Sequence, residues 1–222
     1  MNAFKFYAPD GTIISKETFI SFYSQVYYYL NRDLNFERKI ENILYSDTLS
    51  DKDIIDVLCW KIGATSKNED AQTLTNQWGT IEVHELIEKI SGKKQKNCDA
   101  TEMLKQLIGF EGIGPVYAIT LLYFITKGEY PIYDRFAHIA LKQIESGASF
   151  DNVIQDISLG HEFHAYSTKI EKIYNDYQEF YINRLTEIFG EEYQTNRDID
   201  RALWVYGHLF SDTKTNRQRS EK

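Results

Sequence analysis

Two short stretches hold the residue types from which chemistry can be built. The first is Phe110-Glu111-Gly112-Ile113-Gly114-Pro115, a corner of two glycines around one isoleucine. Glycines there allow positive φ and close backbone approach, and Pro115 suits the first position of a helix. A helix N-terminus presented by such a corner leaves backbone N–H groups pointing outward. That surface accepts an anion, and a DNA phosphate is the obvious candidate. The second stretch is Pro131-Ile132-Tyr133-Asp134, whose lone acid opens a further helix at Arg135-Phe136-Ala137. An Asp in that place is commonly a cap, and the positive end of the helix favours its ionised form. His138 follows at i+4, where it either orients the acid or is simply a partly exposed histidine.

Between the two lies Val116 to Ile125, in which only Thr120 is plainly polar. At about ten residues the run is too short to cross a bilayer and reads as a helix surrounded by protein. Corner, buried helix and an acid twenty residues beyond Gly114 together resemble the helix-hairpin-helix DNA glycosylases of base excision repair, over residues 104–141. In that superfamily a Gly-hydrophobic-Gly hairpin grips one DNA strand, and a Pro-x-x-Asp segment follows the second hairpin helix.

The resemblance implies double-stranded DNA contacts for Gly112, Ile113, Gly114, Pro115 and Val116, and a catalytic role for Asp134. Hydrolysis of an N-glycosidic bond builds positive charge on the sugar, which a carboxylate near C1′ stabilises while orienting or deprotonating water. Family hairpins also bind a monovalent cation, K+ or Na+, through backbone carbonyls, here those of Phe110 and Gly112. A flipped base needs aromatic neighbours, for which Tyr133, Tyr117, Trp60, Phe136 and Trp204 are candidates, with His138 behind the acid; each also has an ordinary core reading. Bifunctional members carry a lysine two residues after the second glycine. Val116 stands there instead, so no Schiff-base lyase step is expected. Glu111 departs from the pattern, because an acid beside a phosphate site repels it.

Composition limits these readings. The net charge is −8 and the pI about 5.2, which argues against a general nucleic-acid binder and predicts weak, salt-sensitive contacts. The acidity lies elsewhere than the organising stretch, since residues 100–142 hold four acids against four bases. Two cysteines, Cys59 and Cys98, supply neither an iron–sulfur cluster nor a structural zinc site. His161 and His164, with His84 and His208, show no metal-ligand spacing, so no side-chain metal site is expected. With no N-terminal signal-type segment, a cytoplasmic protein is expected. Three readings stay open: a monofunctional DNA glycosylase, a catalytically inactive binding or structural protein on the same scaffold, and a hydrolase of free nucleosides.

The surrounding elements read as all-α, about nine or ten helices in a compact domain or two lobes. PheLysPheTyr at 4–7 and ThrIleIle at 12–14 predict a short β-hairpin through Pro9-Asp10-Gly11. Ser15 is expected to cap a helix to about Leu30, and a second helix covers roughly 35–46. Ser50-x-x-Asp53 reads as a capping box opening a helix to Gly63. Further helices are expected over 81–91 and 151–158, with a turn-rich excursion at 64–80 and a basic loop at 93–97. Ser167 to Phe189 is amphipathic and ends at Gly190; a last helix covers about 197–209, its charges forming an intrachain network. The domain is expected to span 1–210, with a disordered tail over 211–222.

Overall fold

A computed structural model describes residues 4–30, 33–61, 99–109, 113–148, 170–194 and 196–220, with the backbone alone for 51 and 211–220. The elements expected over 64–80, 81–91, 93–97 and 151–158 lie outside the described residues, as do Phe110, Glu111 and Gly112. The fold is all-α with a two-stranded N-terminal hairpin. In chain order it comprises β1 (Phe6–Tyr7), β2 (Ile13–Ile14), α1 (Lys16–Tyr29), α2 (Leu34–Tyr45) and α3 (Asp51–Lys61). There follow α4 (Ala100–Ile108), α5 (Pro115–Ile125), α6 (Arg135–Ser146) and α7 (Ile170–Tyr177). A π-helical turn (Gln178–Ile182), α8 (Asn183–Phe189), a 3-10 turn (Gly190–Gln194) and α9 (Arg197–Ser220) complete the described chain. Two compact units result, one from Met1–Arg32, Tyr133–Glu162 and Glu179–Lys222, the other from Asp33–Ile132 and Phe163–Gln178.

In the first unit β1 and β2 pair antiparallel, Phe6 opposite Ile14 and Tyr7 opposite Ile13. Gly11 makes the turn possible with φ +83°, a conformation that a Cβ would disfavour. Ser15 caps α1 by accepting the Thr18 N–H at 3.1 Å. Helices α1 and α6 both pack on α9. Their core is aromatic: Phe19 lies 5.1 Å from Phe6 and 5.0 Å from Tyr206, and Tyr206 lies 5.1 Å from Tyr23. Two buried phenols tie the hairpin to the helices. Tyr23 donates to the carbonyl of Tyr7 at 2.9 Å, and Tyr7 donates to that of Gly147 at 2.8 Å.

In the second unit the expected capping box is present: Ser50 N–H donates to Asp53 Oδ2 (2.9 Å) and Asp53 N–H to Ser50 Oγ (3.2 Å). Asp33 and Asp99 cap α2 and α4 through their side chains. Helix α5 packs against α2, α3 and α4, and α7 against α4. From Ala118 to Ile125 every residue of α5 is buried. Its one polar member, Thr120, satisfies its hydroxyl on the carbonyl of Val116 at 2.9 Å. Each buried Leu, Ile or Phe there contributes roughly 1.5–3 kcal/mol, which makes α5 the core of this unit.

One boundary differs from expectation. Helix α3 is described as far as Lys61, its expected end at Gly63 lying outside the described residues, whereas α9 continues to Ser220 rather than stopping near 209. Ser211 to Ser220 contains neither Gly nor Pro, so nothing in its backbone chemistry stops the helix where a disordered tail was expected. Among the described residues no helix is long and apolar enough to cross a membrane.

Burial pushes the phenols of Tyr23 and Tyr206 well above their ordinary range. Both folded pKa values exceed the unfolded one of about 10, so their stabilisation is complete below that pH and is lost as pH rises above it. An alkaline titration followed by tyrosinate absorbance and helical circular dichroism should show a late fraction that ionises only as the helices melt. Uniform titration of all sixteen tyrosines without loss of helix would contradict this packing.

Candidate functional site

The glycine corner belongs to the second unit and Asp134 to the first. At the corner, Ile113 is 3% exposed and anchors the backbone in the core. Gly114 is the N-cap of α5 with φ −79° and ψ 172°, and no side chain caps the helix there. The positive φ that glycine allows is not used at Gly114: the backbone is extended, as any residue adopts. Among the described residues, a Cβ added to Gly114 would meet nothing within 4 Å. Neither conformation nor packing among the described residues requires glycine at this point. What its absent side chain leaves is a bare corner over the first turn of α5. Pro115 occupies the first helical position as expected and is buried, while Val116 and Tyr117 are half-buried. Burial raises the Tyr117 phenol above its ordinary pKa, so it presents a neutral hydroxyl.

Trp60 does not line a surface. It is 7% exposed, its indole N–H donates to Glu37 Oε1 at 2.8 Å, and its ring meets Phe124 edge-on at 6.3 Å. A buried carboxylate supplies the one polar partner an indole needs, which is a core solution. Cys59, on the same helix, is half-buried.

Pro131 to Asp134 lead into α6 without regular structure, and the first unit takes up the chain at Tyr133. Asp134 has φ −137° and ψ 139°, and its Oδ1 accepts the Phe136 N–H at 2.8 Å. Its carbonyl accepts the His138 N–H at 2.9 Å. The acid is half-buried rather than sealed in the core. Tyr133 and His138 are both buried, at 4% and 1% exposure. The Tyr133 ring lies 5.9 Å from that of His138 and 5.1 Å from that of Tyr181, and the His138 and Tyr181 rings are stacked within 8° of parallel. The reading of a partly exposed His138 is thus corrected, and Tyr133 takes the ordinary core position open to its ring. Both rings are apolar enough on their faces to fill the core beneath the acid, and Tyr181, from the π-helical turn, completes the cluster.

Sequence reasoning passed over Gly207 and weighed His208 only as a metal ligand. A Cβ on Gly207 would lie 1.8 Å from the carbonyl oxygen of Phe136 and 2.9 Å from its Cα. Helix α9 therefore touches the backbone of the first turn of α6. The next residue, His208, stacks its imidazole on Phe136 at 3.4 Å and meets Trp204 at 3.7 Å. Its Nδ1 lies 2.8 Å from the Trp204 carbonyl, which fixes the proton on that nitrogen. Arg135, exposed, places its guanidinium 4.5 Å over the ring of Phe136. The expected charge network on α9 is present as Arg197 with Asp200 and Arg201 with Asp198, the latter at 2.9 Å. The only sequence signal for the α6–α9 contact was a glycine standing inside an otherwise regular helix.

Among the described residues no group of three or more His, Cys, Asp or Glu side chains is arranged to hold a metal ion. Phe110 and Gly112, the carbonyls suggested for a monovalent cation, lie outside the described residues. No family model matches this chain, and neither the curated proteins nor the solved structures give a match.

Gly207→Ala should destabilise the protein by about 1–3 kcal/mol through overpacking against immovable backbone. That exceeds the roughly 1 kcal/mol by which a helix prefers Ala to Gly. Thermal denaturation reads the effect, and a melting temperature at or above the parent's would show that α6 and α9 are not in backbone contact.

Proposed function

We propose that this chain is a helix-hairpin-helix protein that hydrolyses the N-glycosidic bond of a modified or mismatched base in DNA. One observation carries the reading: Asp134 is half-buried, not sealed, and is held at the N-terminus of α6 by the Phe136 N–H. A carboxylate so placed is favoured in its ionised form by the helix dipole and pays no reorganisation when positive charge develops near it. As the C1′–N bond breaks, its electron pair leaves with the base, and the sugar becomes oxocarbenium-like. Water adds to C1′, and its proton passes to Asp134 or to solvent. With Val116 where an amine would have to stand, water is the nucleophile and no lyase step is part of the proposal.

The Gly114 corner supports a phosphate-binding role in the same reading, since an N-cap without a side chain lets a DNA backbone approach. The net charge of −8 means that few cations add to this contact, so binding should weaken steeply with salt. A second reading, binding without catalysis, has its own support. Capping α6 is by itself a sufficient reason for an aspartate at 134.

Asp134→Asn separates them. Asn caps a helix as well as Asp, so stability should hardly change, whereas Asp134→Ala should cost about 1 kcal/mol. Base release from a panel of modified duplexes should be abolished in Asp134→Asn with binding nearly intact. Release that survives this substitution would remove the mechanism; absence of release from any duplex by the parent would favour the binding protein. At the corner, Gly114→Ala should lower the melting temperature by no more than a few degrees, the cost of Ala in place of Gly at an N-cap, because its Cβ meets nothing within 4 Å among the described residues. The same substitution should weaken low-salt duplex binding. Unchanged binding would remove the corner from the DNA contact.

A further inference from the structure

Beside Asp134 the first unit carries a file of planar groups that the reaction chemistry does not use. Trp204, His208 and Phe136 follow one another with ring separations of 3.7 and 3.4 Å, and the Arg135 guanidinium lies 4.5 Å over Phe136. Two planar groups cannot share one ring face at such distances, so His208 and Arg135 cover opposite faces of Phe136. Behind Trp204 the file closes on Tyr27, edge-on at 5.5 Å and buried. At the other end it stops at Arg135, which is exposed. Among the described residues Arg135 forms no ion pair, so its cation is not neutralised there. The file thus has one closed end and one open end, and the open end lies next to the acid in sequence.

We infer that this file is a stacking platform for a neutral nucleobase, Arg135 and Phe136 being its specificity-determining residues. The inference rests on the glycosidic-bond reading above and names the class of base within it. An unstacked base needs a planar partner, and both aromatic rings and guanidinium planes serve. It adds at the open end, on the Arg135 plate or, with that long side chain swung aside, on Phe136 itself. On the Arg135 plate the positive charge stands within one stacking distance of the base, and on Phe136 the displaced guanidinium is still carried by the adjoining residue. A purine made cationic by N-alkylation meets a like charge there. A neutral deaminated or oxidised base does not. At stacking distance in water a like charge costs about a fivefold factor in occupancy.

Single-turnover release from matched duplexes tests this, using uracil, hypoxanthine and 8-oxoguanine as neutral probes and 7-methylguanine as the cationic one. The parent should favour at least one neutral probe. Arg135→Ala, an exposed position that leaves the fold intact, should raise release of the cationic base relative to the neutral ones by about fivefold. Phe136→Leu should lower release of every base by roughly tenfold or more, the usual range for loss of one stacking partner. A neutral-to-cationic ratio that Arg135→Ala leaves unchanged, with release still dependent on Asp134, overturns the platform and spares the glycosidic-bond reading. No release of any probe by the parent overturns both.

Discussion

The backbone of Phe136 is where the first unit is most constrained. Its N–H is taken by Asp134, its carbonyl and Cα face a helix that can come so near only through Gly207, and its ring is pressed on His208. Close-packed protein does not deform continuously, so three restraints on one residue leave the neighbouring carboxylate little freedom. Helix α9 is also the helix on which α1 rests. The position of a single acid is therefore inherited from a core built around Phe19, Tyr23 and Tyr206.

The second unit meets the opposite requirement. Helix α5 is buried from Ala118 to Ile125, yet its N-cap residue brings no side chain and no cap. A hydrophobic rod fixed by its flanks holds its N-terminal dipole in place without needing local polar groups to do so. In the proposed reading this suits a protein with an overall acidic charge. Backbone N–H groups attract an anion whatever the net charge, whereas a lysine-rich surface would have to outweigh −8.

Much of this was legible in the sequence where the signal was local. Ser15, Ser50 with Asp53, and Pro9-Asp10-Gly11 announced their caps and turn because the side chain bonds the backbone within three residues. The apolar run after Pro115 announced a surrounded helix, since no face of it was polar. Asp134 was legible as a cap for the same reason. Long-range contacts were not. Nothing in Val205-Tyr206-Gly207-His208 distinguishes a glycine in backbone contact from one tolerated at the surface, and the burial of Tyr133 and His138 depends on Tyr181, far along the chain. Gly114 was legible only in part: glycine allows positive φ, but its use at this position is an absent side chain.

The first unit is assembled from three separated pieces of chain, and the second is bounded by them. On the ribosome, Phe19 and Tyr23 leave the exit tunnel long before Tyr206 is made, so their rings wait without a partner and are exposed to aggregation or to a chaperone. Helices α2 to α5, by contrast, emerge in one uninterrupted stretch. A nascent chain thus acquires its glycine corner early in translation. Only when synthesis has nearly finished does it gain a seated Asp134.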